Sequence, residues 1–353
     1  MGEKILMKGN EAIGEAAIKA GCHHFFGYPI TPQNELPEYM ARRLPQVGGA
    51  MVQAESEVAA INMVYGAAGA GARVMTSSSS PGISLKQEGI SYIAGAELPC
   101  VIVNMVRGGP GLGSIQPAQS DYFQSVKGGG HGDYHLLVLA PASLQEMVDL
   151  VQEAFDLADQ YRNPVLILGD GMLGQMMEPV EFKERVAKSF DKSWASTGTK
   201  NHPGRNVINS LFLQSDKLEQ HNYHLQAKYK TMAAEQVRYE AVDVENADIV
   251  VTAYGSTARI VKSAMDAGKK EGLRIGMIRP ISLWPFPAEA YANAAKTAKA
   301  FLTVEMSAGQ MVEDVRLAVN GQKPVHFYGR FGGMIPTPED VLAEIKQILG
   351  GNV

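Results

Sequence analysis

Cysteine is scarce in this chain: two cysteines, Cys22 and Cys100, occur among 353 residues. Neither belongs to a CxxC pair, so the chain supplies no cysteine framework for a zinc site or an iron-sulfur cluster. We therefore predict that the chain has no metal site of its own. Any metal chemistry would have to come from another polypeptide.

Long apolar runs and an excess of basic residues are missing as well. No apolar stretch approaches the ~20 residues that a membrane-spanning helix requires, and the N-terminus lacks the pattern of a signal peptide. The net charge is -5, whereas nucleic-acid-binding proteins usually present a strongly basic surface. We predict a cytoplasmic protein that binds neither a membrane nor a nucleic acid.

What the chain does have is a regular alternation of short β-rich runs and helical patterns between Ile5 and about Gly169. Near-continuous apolar strands in such an alternation are typical of a parallel sheet with helices on both faces. Residues 179–240 are mixed in charge and rich in turn formers, and the α/β rhythm then returns. The sequence predicts an α/β protein with domains at 1–178 and 241–353, joined by a linker at 179–240 that carries a polar surface helix.

The stretch GYPITP, Gly27 to Pro32, closes one of the predicted strands. Proline cannot extend a strand ladder and fixes φ, so a rigid, extended turn is expected at the carboxyl end of the strand. Ligands of open α/β sheets bind at that edge. The alternative interpretation is that Thr31 caps the helix that follows.

The stretch ESE places Glu55 and Glu57 before a helix rich in alanine and glycine. Residues two apart do not share a helix face, so the two acids cannot act as a carboxylate pair. One should face solvent, and the other would be a desolvated carboxylate suited to proton exchange with a nitrogen heterocycle. The equally good alternative is that both acids favour the positive N-terminus of the helix.

Two more strand ends carry candidate ligand groups. SSSSPGIS, Ser77 to Ser84, lacks the spacing of a phosphate-binding loop, and we predict a strand-to-helix turn that lines a site. Arg107 begins a glycine-rich loop after an apolar strand. An arginine there can bind a carboxylate through two hydrogen bonds, or it can form a structural salt bridge.

Two further loops are less specific. LGDGMLGQM, around Asp170, matches the start of a thiamine-diphosphate and magnesium motif, but the asparagine pair that completes the motif does not follow. We predict a turn. The loop GGGHGDYH carries His131 and Asp133, which either face the site or are solvated.

Taken in order, GYPITP, ESE, TSSSSPG, VRGGPG and HGD resemble the α subunit of 2-oxoacid:ferredoxin oxidoreductases in their separate-subunit form. The likeness covers nearly the whole chain. It implies a thiamine-diphosphate-type pyrimidine-binding domain followed by a transketolase C-terminal-like domain. It also implies CoA-dependent oxidative decarboxylation of a 2-oxo acid to acyl-CoA and CO2, with electrons passed to ferredoxin.

The resemblance also implies roles for individual residues. Glu57 matches the glutamate that hydrogen-bonds N1′ of the thiamine aminopyrimidine. Thr31 and Arg107 match residues that face the substrate, with Arg107 as the partner of the 2-oxo acid carboxylate. Pro29 and Ile30 join Glu57 as cofactor-binding residues, and a second tier comprises Ser80, Gly82, His131 and Asp133.

The family divides its chemistry among subunits, which implies partners for this chain. A β subunit would supply the diphosphate and magnesium site and an iron-sulfur cluster, beside a γ subunit, a ferredoxin-like subunit and external ferredoxin. The sequence RGGPGLGS, which begins at Arg107, favours 3-methyl-2-oxobutanoate over 2-oxoglutarate as the substrate. The alternatives are a self-contained thiamine enzyme of the transketolase or decarboxylase kind and a non-catalytic scaffold subunit.

Overall fold

The computed structural model describes residues 4–183, 188–199 and 204–350. Within these ranges the strands are β1 (Lys4–Lys8), β2 (His24–Gly27), β3 (Ala50–Gln53), β4 (Val74–Ser78), β5 (Cys100–Val106), β6 (Leu137–Leu139), β7 (Pro164–Asp170), β8 (Met177–Glu181), β9 (Tyr239–Val242), β10 (Ile249–Thr252), β11 (Ile275–Pro280), β12 (Ser282–Trp284), β13 (Ala300–Glu305) and β14 (Val325–Gly329). The helices are α1 (Gly9–Lys19), α2 (Glu35–Arg43), α3 (Glu57–Gly69), α4 (Ser80–Gly95), α5 (Tyr122–Val126), α6 (Leu144–Tyr161), α7 (Gly171–Gln175), α8 (Ser215–Glu235), α9 (Thr257–Lys270), α10 (Ala288–Ala294), α11 (Met311–Val319) and α12 (Pro338–Gly350), with a 3-10 helix at Leu44–Val47.

The larger sheet has the strand order β12-β6-β7-β5-β4-β2-β3, and its strands are parallel except for β12. Strands β4, β5 and β7 are buried along their whole length, as their apolar runs predict. Helices α4 and α6 both contact β5 and β7, yet α4 packs on α3 and α6 packs on α1. The predicted parallel sheet with a helical layer on each face is therefore confirmed.

The second sheet, β14-β13-β10-β11-β9, is parallel except for β9. Helices α9 and α12 pack on each other beside this sheet. The Asp340 N–H donates to Thr337 Oγ1 at 3.1 Å, so Thr337 caps the N-terminus of α12. The two sheets are tied together because β12, which follows directly after β11, pairs with β6 of the first sheet.

The segment 179–240 is more than a linker. Strand β8 pairs antiparallel with β1, and α8 buries Leu225, Tyr229 and Met232 in the main hydrophobic core. Apart from this apolar stripe, the described side chains of α8 are exposed or half-buried. The boundaries at residues 178 and 240 stay a prediction. None of the helices in the described ranges combines the length and apolarity that crossing a bilayer requires.

Candidate active site

The turn after β2 is held in place from several sides. Ser77 Oγ donates to Gln33 Oε1 at 2.5 Å, and the side chains of Asn10 and Gln175 donate to the Pro32 carbonyl at 2.8 and 2.9 Å. Thr31 is exposed at the end of this turn. Its hydroxyl accepts from the Asn34 side chain at 3.3 Å and not from an α2 backbone N–H, so the capping interpretation of Thr31 is wrong.

Pro29 and Ile30 lie in the same turn as Thr31. Pro29 is exposed, Ile30 is half-buried, and the Ile30 carbonyl accepts the Gln33 N–H at 3.0 Å. Both residues therefore lie at the carboxyl edge of the first sheet, where a ligand can reach them.

Glu57 is the first residue of α3, behind Ser56, whose hydroxyl accepts the Ala59 N–H at 3.2 Å. Glu55 is exposed, whereas Glu57 is only 6% exposed, which matches the expected division of the two acids. Among the residues that the structure describes, none donates a hydrogen bond to the Glu57 carboxylate. A buried carboxylate normally has such partners, so Glu57 is available to a ligand.

Gly82, in the first turn of α4, lies directly against Glu57. A Cβ atom at position 82 would lie 2.5 Å from Glu57 Oε1 and 2.0 Å from Ser78 Oγ, so no larger residue fits without displacing one of them. The hydroxyls of Ser78 and Ser79 are buried and have no hydrogen-bond partner in the part of the chain that the structure describes. This cradle of unpaired polar atoms fits a polar heterocycle that offers hydrogen-bonding nitrogens.

Arg107 follows β5 and is 6% exposed. Its Nη1 and Nη2 donate to the carbonyls of Thr31 and Leu112, both at 2.9 Å, while no described residue accepts a hydrogen bond from Nε. No carboxylate pairs with Arg107 within the described part of the chain, so the interpretation of Arg107 as a salt-bridged structural arginine is wrong. A buried guanidinium with a free donor suits an anionic ligand.

Ser80 connects the Arg107 and Glu57 regions. Its hydroxyl accepts the Arg107 N–H at 3.1 Å and lies 3.3 Å from the Arg107 carbonyl, to which it can donate. Two residues later in α4, Gly82 contacts Glu57. The predicted site residues Thr31, Arg107, Ser80, Gly82 and Glu57 thus form one continuous set at the carboxyl edge of the first sheet.

His131 and Asp133 lie elsewhere. The His131 ring packs edge-on against Tyr92, and the Asp133 carbonyl accepts from the Gln226 side chain at 2.7 Å. Both residues line a cleft between α8 and the C-terminal half of α4. The structure therefore does not bring them together with Glu57 or Arg107.

Asp170 has a structural task. It caps the short helix α7 by accepting the Met172 and Leu173 N–H groups at 2.9 and 3.2 Å, and the Ser256 hydroxyl donates to its second oxygen at 2.5 Å. Burial raises the pKa of Asp170. The predicted turn is in fact a helix start, and the described residues contain no cluster of three metal-ligating side chains.

Lys86 was not predicted from the sequence. It is fully buried in α4, and its ammonium group donates to Thr76 Oγ1 at 2.8 Å and to the Ser77 carbonyl at 2.9 Å. Burial lowers the pKa of Lys86 to about 7, and the negative charge of Glu57 opposes this shift. The spacing of four residues from Gly82 was the available signal, because it places both on one helix face.

Two protein families match consecutive parts of this chain. Residues 15–246 match the thiamine-diphosphate-binding region of pyruvate flavodoxin/ferredoxin oxidoreductases. Residues 247–341 match core domain II of pyruvate:ferredoxin oxidoreductase.

Curated relatives match over nearly the full length. The ketoisovalerate oxidoreductase subunit VorB of Methanothermobacter marburgensis is 52% identical over 98% of both chains. The 2-oxoglutarate synthase subunit KorA of Methanothermobacter thermautotrophicus is 35% identical, over 99% of this chain and 100% of its own.

Solved structures share the fold. A 2-oxoglutarate:ferredoxin oxidoreductase from Magnetococcus marinus, with 2-oxoglutarate, coenzyme A and succinyl-CoA bound, matches with a TM-score of 0.86 and 29% identity. The match covers 98% of this chain, which spans about two thirds (65%) of that longer one. A split-gene transketolase, an inactive tetramer, matches over 99% of both chains with a TM-score of 0.61 and 16% identity, which supports the fold alone.

Proposed function

The chain belongs to the 2-oxoacid:ferredoxin oxidoreductases as an α-type subunit, and from that premise we propose that it serves the CoA-dependent oxidative decarboxylation of a 2-oxo acid. The products would be an acyl-CoA and CO2, with electrons passed to ferredoxin. The observation that carries the proposal is that two buried charged side chains at one sheet edge, Glu57 and Arg107, have no oppositely charged partner bonded to them among the described residues.

Glu57 is the residue that would hold the pyrimidine half of thiamine diphosphate. Its carboxylate can exchange a proton with N1′ of the ring, and its burial keeps water from competing for that contact. When bound, thiamine diphosphate supplies the nucleophilic carbon that adds to the keto group and accepts the electron pair released with CO2. The unpaired hydroxyl of Ser78 and the side-chain-free surface of Gly82 support the fit of a flat ring beside Glu57.

Arg107 is the residue that would orient the 2-oxo acid. The carbonyls of Thr31 and Leu112 fix its guanidinium, so little further ordering would be needed for its remaining N–H donors to bind a substrate carboxylate. A charge-assisted hydrogen bond to an anion is about twice as strong as a neutral one. The exposed Thr31 beside it can contact the same substrate.

The loop after Arg107 favours an aliphatic substrate. Residues 108–116, GGPGLGSIQ, contain no charged side chain, and Leu112 and Ile115 are exposed. The loop 330–334 packs on Gly108, and its Arg330 is paired with Asp340 at 3.6 Å. A second carboxylate, as in 2-oxoglutarate, would find no free cation on this loop, so we favour 3-methyl-2-oxobutanoate.

The remaining parts of the reaction belong to partners in this proposal. A β subunit would bring the diphosphate and magnesium site and an iron-sulfur cluster, and a γ subunit, a ferredoxin-like subunit and external ferredoxin would complete a cytoplasmic complex. The family's named subunits, VorB and KorA, support a divided enzyme. Asp170 stands where a magnesium and diphosphate motif would begin, but its carboxylate caps α7. This supports a diphosphate site outside this chain.

The test is to purify the chain alone and with its co-purifying partners, and to assay CoA-dependent viologen reduction with three 2-oxo acids. We expect no activity and no bound thiamine diphosphate for the chain alone. The complex should give its highest kcat/KM with 3-methyl-2-oxobutanoate, ahead of 2-oxoglutarate and pyruvate. Activity of the chain alone would favour a self-contained thiamine enzyme, and a complex inactive with every 2-oxo acid would favour a scaffold subunit.

A further inference from the structure

The serine run at the end of β4 divides into hydroxyls with partners and hydroxyls without them. Ser77 Oγ donates to Gln33 Oε1 at 2.5 Å, and Ser80 Oγ accepts a backbone N–H at 3.1 Å. Ser78 and Ser79 are both fully buried, yet their hydroxyls have no hydrogen-bond partner among the described residues. Buried polar groups normally have a partner, so these two hydroxyls require an explanation.

The turn between β4 and α4 is not held by either of these hydroxyls. Ser79 is the N-cap of α4, but its side chain makes no capping hydrogen bond. Asn104 on β5 takes that role, because its Oδ1 accepts the Ser80 N–H at 3.2 Å. The amide group of Asn104 is itself fixed, since it donates to Asp121 Oδ2 at 2.8 Å. A capping role therefore does not explain the unpaired hydroxyls.

Strand geometry places the Ser78 hydroxyl on the side of the candidate site. Successive side chains of a strand point to opposite faces of the sheet. Thr76 faces α4, where its hydroxyl accepts from Lys86 Nζ at 2.8 Å, so Ser78 faces the same layer. Ser78 Oγ lies 2.0 Å, and Glu57 Oε1 2.5 Å, from the point that a Cβ atom on Gly82 would occupy. The hydroxyl and the carboxylate are therefore close neighbours, although no hydrogen bond joins them.

Building on the proposed function, we propose that Ser78 is a further cofactor-binding residue, whose hydroxyl hydrogen-bonds the aminopyrimidine ring beside Glu57. A hydroxyl can donate to a ring nitrogen or accept from an amino group, and an aminopyrimidine offers both. Glu57 and Ser78 would then bind two polar atoms of one ring, which orients the ring more strictly than a single contact. Gly82 leaves space for the ring, because it has no side chain between the two oxygens.

Removal of the hydroxyl should weaken cofactor binding without destabilising the protein. Ser78→Ala deletes a buried hydroxyl that has no partner in the described part of the chain, so we expect an unchanged or raised Tm. The dissociation constant of thiamine diphosphate should rise about 3–10-fold, the effect of losing one hydrogen bond between neutral groups. A serine with a purely structural role would give the opposite result, a lowered Tm with an unchanged dissociation constant.

The measurement is calorimetry of thiamine diphosphate and of inorganic diphosphate, each with magnesium, binding to the assembled complex, together with thermal unfolding. Inorganic diphosphate lacks the ring, so its affinity should be the same for the wild type and Ser78→Ala. Thr303→Val is the matched control, because Thr303 on β13 of the second sheet is also buried and its hydroxyl has no partner among the described residues. This control should leave both affinities unchanged.

Four results would overturn the assignment of Ser78. They are an unchanged thiamine diphosphate affinity in Ser78→Ala, a lowered Tm, an equal loss of affinity for inorganic diphosphate, and a similar loss of thiamine diphosphate affinity in Thr303→Val. A wild-type complex that binds inorganic diphosphate but no thiamine diphosphate would instead contradict the proposed function.

Discussion

Two buried glutamates in this molecule have opposite surroundings. Glu305, at the end of β13, accepts hydrogen bonds from the Ser307 hydroxyl at 2.9 Å and from the Met311 and Val312 N–H groups at 3.0 Å. Glu57 also lies at a helix N-terminus, yet no described residue donates to its carboxylate. The described chain thus supplies hydrogen-bond donors to the Glu305 carboxylate but none to the Glu57 carboxylate.

Two buried arginines repeat the contrast. The guanidinium of Arg279 binds Glu146 through two hydrogen bonds of 2.9 Å and Glu240 through one of 2.7 Å. Among the residues described, the Arg107 guanidinium binds only backbone carbonyls, and its Nε has no hydrogen-bond partner. Buried charges are normally paired, so the unpaired ones mark the place where a ligand supplies the missing partner.

Substitution of the two glutamates should give the largest difference in activity. Glu57→Gln should lower the activity of the complex by about 10²–10⁴-fold, the usual span for an acid-base residue. Glu305→Gln should instead lower the free energy of unfolding by about 1–3 kcal/mol, since an amide cannot accept all of those hydrogen bonds. Viologen reduction and thermal unfolding of both variants check this, and similar behaviour of the two variants would break the comparison.

Substitution of the two arginines should also affect activity in one case and stability in the other, with a smaller change in activity. Arg107→Met should reduce kcat/KM about 10–100-fold through a raised KM for the 2-oxo acid, because a hydrogen bond to a charged group contributes about 1.5–3 kcal/mol. Arg279→Met removes the cation that joins Glu146 and Glu240, of which Glu240 still binds Lys262, and should lower the Tm while the KM stays unchanged. A normal KM for Arg107→Met at all 2-oxo acids would remove Arg107 from the substrate site.

Gly82→Ala should give the smallest change in activity, about tenfold, because the added methyl group displaces Glu57 without removing its carboxylate. Gly66→Ala is the matched control: it lies in α3 with open space around its Cα and should add about 0.5–1 kcal/mol of stability. Steady-state kinetics and thermal unfolding check both variants. Equal activity of Gly82→Ala and the wild type would mean that Glu57 tolerates displacement.

The sequence predicted the parallel core of the first sheet because its strands are apolar on both faces. It missed β3 and β12, since AMVQ is short and mostly exposed and SLW is a three-residue strand that follows Pro280. These strands form through pairing with distant partners, which a local pattern does not record.

Part of the site was also predictable from the sequence, because the predicted strands and helices fix which residues lie at their ends. Glu57, Thr31 and Arg107 lie at strand and helix ends, and chain order brings those ends to one edge. Lys86 was missed because a lysine between leucine and glutamine on a helix has the appearance of a solvated residue. Its burial depends on how α4 packs against α3 and β5, which no local pattern encodes.

The most direct test of the account is the structure of the assembled complex with thiamine diphosphate bound. The account predicts a Glu57 oxygen about 2.6–3.2 Å from N1′ of the aminopyrimidine, the range of a proton-exchanging contact. It also predicts that Glu305 keeps the contacts described here. A cofactor ring bound elsewhere, with the Glu57 carboxylate still lacking a partner, would contradict the claim that this unsaturated charge is the cofactor's site.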